Sequence, residues 1–375
     1  MVYRKSAVEG LEMINSTFWH GKKVFLTGHT GFKGSWLSRW LISLGANVRG
    51  FALDPPTVPS LFNDLDLALE MDSDIGDIRD ARKLTNDLVE FCPEIVFHLA
   101  AQPLVRLSYV DPRTTYETNV MGTLNLYEAV RSSESVRAVI SVTTDKCYEN
   151  REQVWGYREN DPMGGYDPYS SSKGCAELLS SAYRNSYFNP DEYGKKHSVS
   201  ISTVRAGNVI GGGDWAADRL VPDCVRALTK GEEIIIRSPH SIRPWQHVLE
   251  PLSGYLTLAE RMYTDGPSFG GAWNFGPGDE GAMDVESVVK AVIESWGSGS
   301  YRIAEDASLH EARLLKLDIS KARAFLGWKP LYSTLEAIAN SITLYRELIL
   351  DPVSAGIMLD SQIDEYICAI EARNQ

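Results

Sequence analysis

The sequence predicts an α/β protein: a doubly wound parallel sheet carrying a smaller C-terminal lobe. Three observations predict it. Short β-branched, apolar runs alternate with helical periodicity through the first half. A turn of regularly spaced glycines joins the first such run to the first helix. Beyond about residue 206 the alternation breaks up around GGGD, SPHSIRP and GPGDE, as suits a lobe folded over the sheet.

The elements follow in order. KKVFLTG (22–28) reads as a buried strand, and GSWLSRWLISLG (34–45) as an amphipathic helix closed by glycine. NVRGFALD (47–54) is a strand, ARKLTNDLVEF (81–91) a helix and EIVFHLA (94–100) a strand. TYETNVMGTLNLYEAV (115–130) is helical, RAVISVTT (137–144) a strand, PYSSSKGCAELLSSAYRNSY (168–187) a helix and SVSISTVRAGN (198–208) a strand. Repeated strand–helix–strand units give parallel pairing with helices on both faces. The expected organisation is an extension over 1–17, a dinucleotide-binding domain over 18–206 with a returning segment near 243–275, a substrate lobe over 207–242 and 276–350, and a tail over 351–375. The residues before Lys22 are expected to pack loosely.

Composition narrows the function. A chain of 375 residues with 43% hydrophobic content can bury a large core. A formal net charge of −13 argues against nucleic-acid backbones and anionic membranes as partners. Five scattered cysteines without C-x-x-C spacing suit reduced thiols in a cytoplasm, and the seven histidines show no metal-ligand spacing. No apolar run has the length of a signal peptide or a membrane span. The expectation is a cytoplasmic protein that binds no metal.

TGHTGFKG places Gly28, Thr30, Gly31, Phe32 and Gly34 at the strand-to-helix junction. Glycines there allow a tight turn and let backbone N–H groups approach a pyrophosphate at a helix N-terminus. The spacing is G-x-x-G-x-x-G rather than G-x-G-x-x-G, so the turn gains its meaning from context. Asp54, at the end of the next strand, can accept both ribose hydroxyls of NAD and would repel the additional phosphate of NADP. The alternative for Asp54 is a turn residue. Asp77 and Ile78 in GDIRD suit an adenine site, although an N-cap explains the carboxylate equally. Leu99, Ala100 and Ala101 in HLAAQ are small or apolar where backbone must approach a cofactor; plain helix–sheet packing is the alternative.

The strongest chemical signal is YSSSK. Tyr169 and Lys173 stand at i and i+4 on one helix face. A neighbouring ammonium favours phenolate, so the tyrosine can serve as general base to an alcohol while the lysine holds a nicotinamide ribose. The strand before it ends in Thr144, Asp145 and Lys146, which read as either a charged turn or an acid–base pair.

These motifs, with RAGNVIGGGD, RPWQHV, WNFGPGDE and LDISKARAFLGWKP in order, resemble the extended short-chain dehydrogenase/reductase family over nearly the whole chain. The resemblance implies a Rossmann domain with a nucleotide-sugar lobe, and a homodimer or dimer of dimers through helices 115–130 and 168–187. PLVRLSY, DKCYEN and WGYRENDPMGGYDPYS resemble the nucleotide-sugar 4,6-dehydratases acting on CDP-sugars, where lysine replaces the glutamate of Thr-Asp-Glu. That likeness implies the following chemistry. Tyr169 takes the proton of the sugar's 4-hydroxyl, Thr144 hydrogen-bonds that oxygen, and Asp145 protonates the departing 6-hydroxyl. Lys146 stands at the base position, either as a neutral base or as a cation stabilising enolate charge. Expected substrate contacts are Gln102, Arg205, Asn208, Arg219, Arg243, Asn274 and His310, with Glu311 beside it. Rival readings are an epimerase, which needs no Asp145–Lys146 pair, and an NAD(H)-sensing regulator, which needs no Tyr169.

Overall fold

Seven parallel strands form the centre of the protein in a computed structural model that describes residues 14–278, 281–304 and 314–374. They are β1 (Lys23–Thr27), β2 (Asn47–Ala52), β3 (Asp72–Ile75), β4 (Ile95–His98), β5 (Ala138–Val142), β6 (Ser200–Ala206) and the edge strand Gly271–Phe275. Their spatial order is β3-β2-β1-β4-β5-β6, followed by Gly271–Phe275. Every neighbouring pair is parallel. The direction of winding reverses between β1 and β4, which opens a crevice at the carboxyl ends of these strands.

Side-chain alternation sends each strand's apolar residues to opposite cores. Val24 and Leu26 face one core, which also takes Trp36 and Trp40 from helix Phe32–Ser43. Phe25 faces the other, with Leu84 and Leu88 of helix Ala81–Phe91 and Tyr127 of helix Gly122–Arg131. Being covered on both faces, the strands are continuous apolar runs, as a parallel sheet requires.

The expected helix 115–130 is three pieces: Pro112–Tyr116, a π-helical turn Glu117–Met121, and Gly122–Arg131. The π turn brings Asn119 onto the Gln102 backbone and Ser172. Two terminal segments are more ordered than their sequences suggested. Residues expected to be loose include helix Ser16–Trp19, capped by Asn15, with Trp19 buried in the main core. In place of a tail, helix Pro352–Asn374 lays Leu359, Ile363 and Tyr366 into that core. Arg39 clamps it through paired 2.6 Å hydrogen bonds to Asp360.

The lobe has its own core, built from helices Leu220–Lys230, Val285–Trp296 and Thr334–Leu350. Helix Thr334–Leu350 joins the two bodies: Ile338, Ile342 and Tyr345 enter the lobe core, Leu344 and Leu348 the main core. Among the described residues, no helix is long and apolar enough to cross a membrane.

Candidate active site

The end of β5 turns directly into the reactive stretch. Thr144 caps the short 3-10 turn Asp145–Cys147, its hydroxyl accepting from Lys146 N at 3.4 Å and donating to Asp145 Oδ1 at 3.0 Å. Asp145 is 2% exposed. Its Oδ2 is buried with no hydrogen-bond partner among the described residues. Burial raises its pKa, opposed by Lys146, the Thr144 hydroxyl, Arg243 and Lys33. An unpartnered buried carboxyl oxygen suits a protonated acid better than an anion.

Tyr169 faces this turn from the first turn of helix Pro168–Ser186. Asp167 caps that helix through Ser170 N (2.9 Å) and Ser170 Oγ (2.6 Å). The Thr144 hydroxyl lies close enough to Tyr169 to favour its phenolate. Burial pushes the phenol up to about 12, with Asp145 adding to the rise and Thr144 and Arg219 opposing it. Burial therefore outweighs the lowering expected from the neighbouring ammonium. Lys173 turns its Nζ to the Val142 carbonyl at 3.1 Å, and burial brings the ammonium down to about 8.

Three further charges converge. Arg219 is held by Asp214 at 2.6 Å and bears electrostatically on Tyr169. Arg243, on the short strand Ile242–Pro244, bears on Asp145. Lys33, half-buried, was not singled out from the sequence although it lies inside TGHTGFKG. Burial and the cations Arg219 and Lys173 bring it down to about 8, against Asp145 and Asp214. Its signal was a lysine between the second and third glycines, in the first turn of helix Phe32–Ser43.

The crevice itself is cut to admit backbone. Gly28 has φ +79°, and a Cβ there would lie 2.6 Å from Ala100 N; one at Gly34 would lie 2.1 Å from Gly28 O. The glycine loop thus presses on Leu99–Ala100 at the end of β4, with Ala101 following, at the N-terminus of helix Phe32–Ser43. Thr30 Oγ1 donates to Leu53 O at 2.8 Å, tying the loop to the end of β2, where Asp54 is exposed. Asp77 receives Arg79 N at 2.9 Å and its guanidinium at 2.6 Å, so its carboxylate is already engaged. The Ile78 side chain is buried in the core below Gly122.

Three expected substrate contacts have structural partners instead. Gln102 spends its amide on Thr115 Oγ1, Leu104 O and Leu104 N. Arg205 is buried in a two-point pair with Glu177 (2.7 and 2.8 Å). Asn274 is fully buried and bonded to Tyr148 Oη, Tyr157 O and Asp318 O. Each is a polar residue at or beyond a strand end whose partners belong to other elements of the fold. Asn208, half-buried, accepts Gln246 N on its carbonyl at 3.0 Å. His310 and Glu311 lie outside the described residues.

Comparison with known proteins adds a family and relatives. Residues 25–341 match the family model described as GDP-mannose 4,6 dehydratase. The chain is 58% identical to a CDP-glucose 4,6-dehydratase of Salmonella typhimurium, over 90% of this chain and 94% of that one. It is 27% identical to a UDP-glucose 4-epimerase of Mycolicibacterium smegmatis, over 86% and 98%. In fold it is similar to a dTDP-glucose 4,6-dehydratase of Streptomyces venezuelae solved with NAD, with TM-score 0.73, 24% identity, and coverage of 87% of this chain and 97% of that one.

Proposed function

The chain belongs to the GDP-mannose 4,6-dehydratase family of extended short-chain dehydrogenase/reductases, and from that membership we propose that it converts CDP-glucose to CDP-4-keto-6-deoxyglucose and water, with NAD as resident cofactor. The observation that carries the dehydration is Asp145: a buried, unpartnered carboxyl, held by Thr144 beside Tyr169. An epimerase has no use for such an acid. The CDP-sugar follows from the 58% identity to a CDP-glucose 4,6-dehydratase.

The residues present fit NAD. Gly28 and Gly34 pack against backbone too closely for a Cβ, which fixes the tight turn at a helix N-terminus that favours a pyrophosphate. Gly28, Thr30, Gly31, Phe32 and Gly34 would line that group, Asp54 the adenosine ribose, Asp77 and Ile78 backbone the adenine, Leu99–Ala101 the middle, and Lys173 the nicotinamide ribose. Bound there, NAD would supply a two-electron acceptor and donor for hydride chemistry on the sugar, and a cationic ring that would favour an anionic Tyr169.

The chain's own groups handle the protons. Tyr169 takes the proton of the 4-hydroxyl while Thr144 holds that oxygen. Burial keeps Tyr169 a phenol at rest, so the phenolate has to be made within the complex, where Arg219 and the nearby cations favour it. Oxidation at carbon 4 acidifies the carbon-5 proton. Lys146 stands in the turn where that proton is removed, and Asp145 gives its own proton to the departing 6-hydroxyl, which leaves as water; once carbon 6 has received the hydride, a proton returns to carbon 5. The buried site excludes bulk water from the keto intermediate. Arg219, Arg243 and Asn208 are the contacts we assign to the nucleotide-sugar diphosphate, and His310 remains a proposed contact to the base.

We assign the protein to deoxysugar biosynthesis in the cytoplasm, supported by five unpaired cysteines. The proposed assembly is a homodimer or dimer of dimers. Exposed Val110, Met121 and Leu178 on or beside the two helices expected to pair support it. The test is incubation of purified protein with CDP-, UDP-, dTDP- and GDP-glucose. Only CDP-glucose should yield a 4-keto-6-deoxy product at substantial rate; equal turnover of another nucleotide sugar would overturn the substrate assignment.

A further inference from the structure

Two consecutive residues at the end of β5 are tied to one face of helix Pro168–Ser186, and the next stands beside a third position on it. Val142 O accepts Lys173 Nζ at 3.1 Å, Thr143 Oγ1 donates to Glu177 Oε1 at 2.5 Å, and Thr144 lies near Tyr169. Residues 169, 173 and 177 repeat at i, i+4 spacing, so one helix face carries base, ammonium and carboxylate together.

Glu177 is 5% exposed and Arg205 3%. Arg205 Nε reaches Oε1 at 2.8 Å and Nη2 reaches Oε2 at 2.7 Å, while Thr203 Oγ1 donates to Oε2 at 2.7 Å. The carboxylate is thus gripped from β5 and β6 at once. A buried ion pair of this kind adds little net stability over apolar side chains of similar volume. What it does fix is geometry. The same Arg205 donates to Tyr148 Oη at 2.6 Å, and Tyr148 donates to Asn274 at 2.8 Å. Asn274 in turn bonds Tyr157 O and Asp318 O. One buried polar chain therefore runs from the catalytic helix to the strand edge that meets the lobe.

We propose that Glu177 is a positioning residue of the first oxidation: held by Arg205, it sets Tyr169 and Lys173 in register against the turn Thr143–Asp145. The proposal rests on the dehydratase reading above. Glu177 also supports the charge on Lys173. The groups facing that ammonium are Glu177 on its own helix, Cys147 in the turn, His98 on β4 and Lys33 on the glycine-loop helix. Burial disfavours the ammonium; Glu177 and then Cys147 support it. Loss of the Glu177 charge moves deprotonation of Lys173 to lower pH.

The experiment uses the full chain with NAD bound, mixed rapidly with CDP-glucose across pH, with KM and melting temperature measured alongside. Glu177→Gln should slow cofactor reduction by roughly 10–10²-fold, the scale of a small misplacement of reacting groups. KM for CDP-glucose should change by no more than about twofold, since binding is not what the pair sets. The alkaline limb of the rate should move down by about one pH unit. Glu177→Asp should restore the limb but not the rate, separating charge from geometry. Because an unpaired buried Arg205 can unfold the chain, Thr143→Val is made in parallel. It removes one hydroxyl, keeps the ion pair, and should slow the step by roughly 3–10-fold at near wild-type melting temperature. Wild-type rates per folded molecule with an unmoved limb in these variants would overturn the role of Glu177. A wild-type protein that reduces no cofactor with CDP-glucose would overturn the dehydratase reading, and the positioning proposal with it.

Discussion

Asp145→Asn removes one transferable proton and little else. Its Oδ1 would remain a carbonyl accepting from Thr144 at 3.0 Å, and an NH₂ would stand where Oδ2 now has no partner. Neither Tyr169 nor the glycine loop is touched, so oxidation at carbon 4 should proceed. Elimination should not, because an amide cannot protonate the departing hydroxyl. Loss of a general acid slows its step by ~10²–10⁴, about 3–5 kcal/mol of barrier. Rapid mixing with CDP-glucose should then show reduced cofactor and a 4-ketoglucose intermediate accumulating in the variant but not in wild type. The pH profile adds a second reading. Burial raises the Asp145 pKa, so the acid persists to higher pH than an ordinary carboxyl, and wild-type elimination should fall as pH rises through that value. The variant should lack this limb. A raised folded pKa contributes stability at low pH that is lost as pH rises, so the variant should melt no lower than wild type at alkaline pH. Turnover close to wild type without accumulation would refute Asp145 as the acid.

The remaining predictions concern neighbouring groups and one distant one. Tyr169→Phe deletes the proton acceptor but no phosphate contact. Cofactor reduction should slow by ~10²–10⁴ while CDP-glucose binding, measured by calorimetry, stays within about threefold; reduction at normal speed would remove Tyr169 from the mechanism. Lys146→Met should leave oxidation intact and slow elimination by ~10²–10⁴. Normal elimination in the variant would return Asp-Lys to a charged turn. Glu250, buried beneath Leu331 N, Tyr332 N and Tyr366 Oη, is pushed up to about 7 by burial, against those hydrogen bonds. Its contribution to stability is present below the ordinary glutamate range and lost as pH rises through about 7. Glu250→Gln should therefore flatten the fall in melting temperature between about pH 5 and 8, a span worth up to about 3 kcal/mol; an unchanged slope would contradict the assignment.

What the sequence made legible was local. Alternating apolar runs and the glycine turn specify β1, its helix and the crevice because each depends on neighbours a few residues apart. Tyr169 and Lys173 were readable for the same reason: i and i+4 share a helix face whatever the tertiary fold. The partners of Arg205, Asn274 and Gln102, which are Glu177, Tyr148 and Thr115, were not legible because they are set by packing between elements. Lys33 stood in plain view inside the glycine motif, but its convergence on Asp145 and Arg219 depends on where the lobe folds. The C-terminal helix was missed because it docks on Trp40 and Arg39, far away in the chain.

The central claim is that one sugar serves as both hydride donor and hydride acceptor. CDP-glucose deuterated at carbon 4, incubated with the protein and only a trace of NAD, should give a 4-keto-6-deoxy product that carries the label at carbon 6. Stoichiometric build-up of reduced cofactor, or label lost to solvent or to a second molecule, would contradict it.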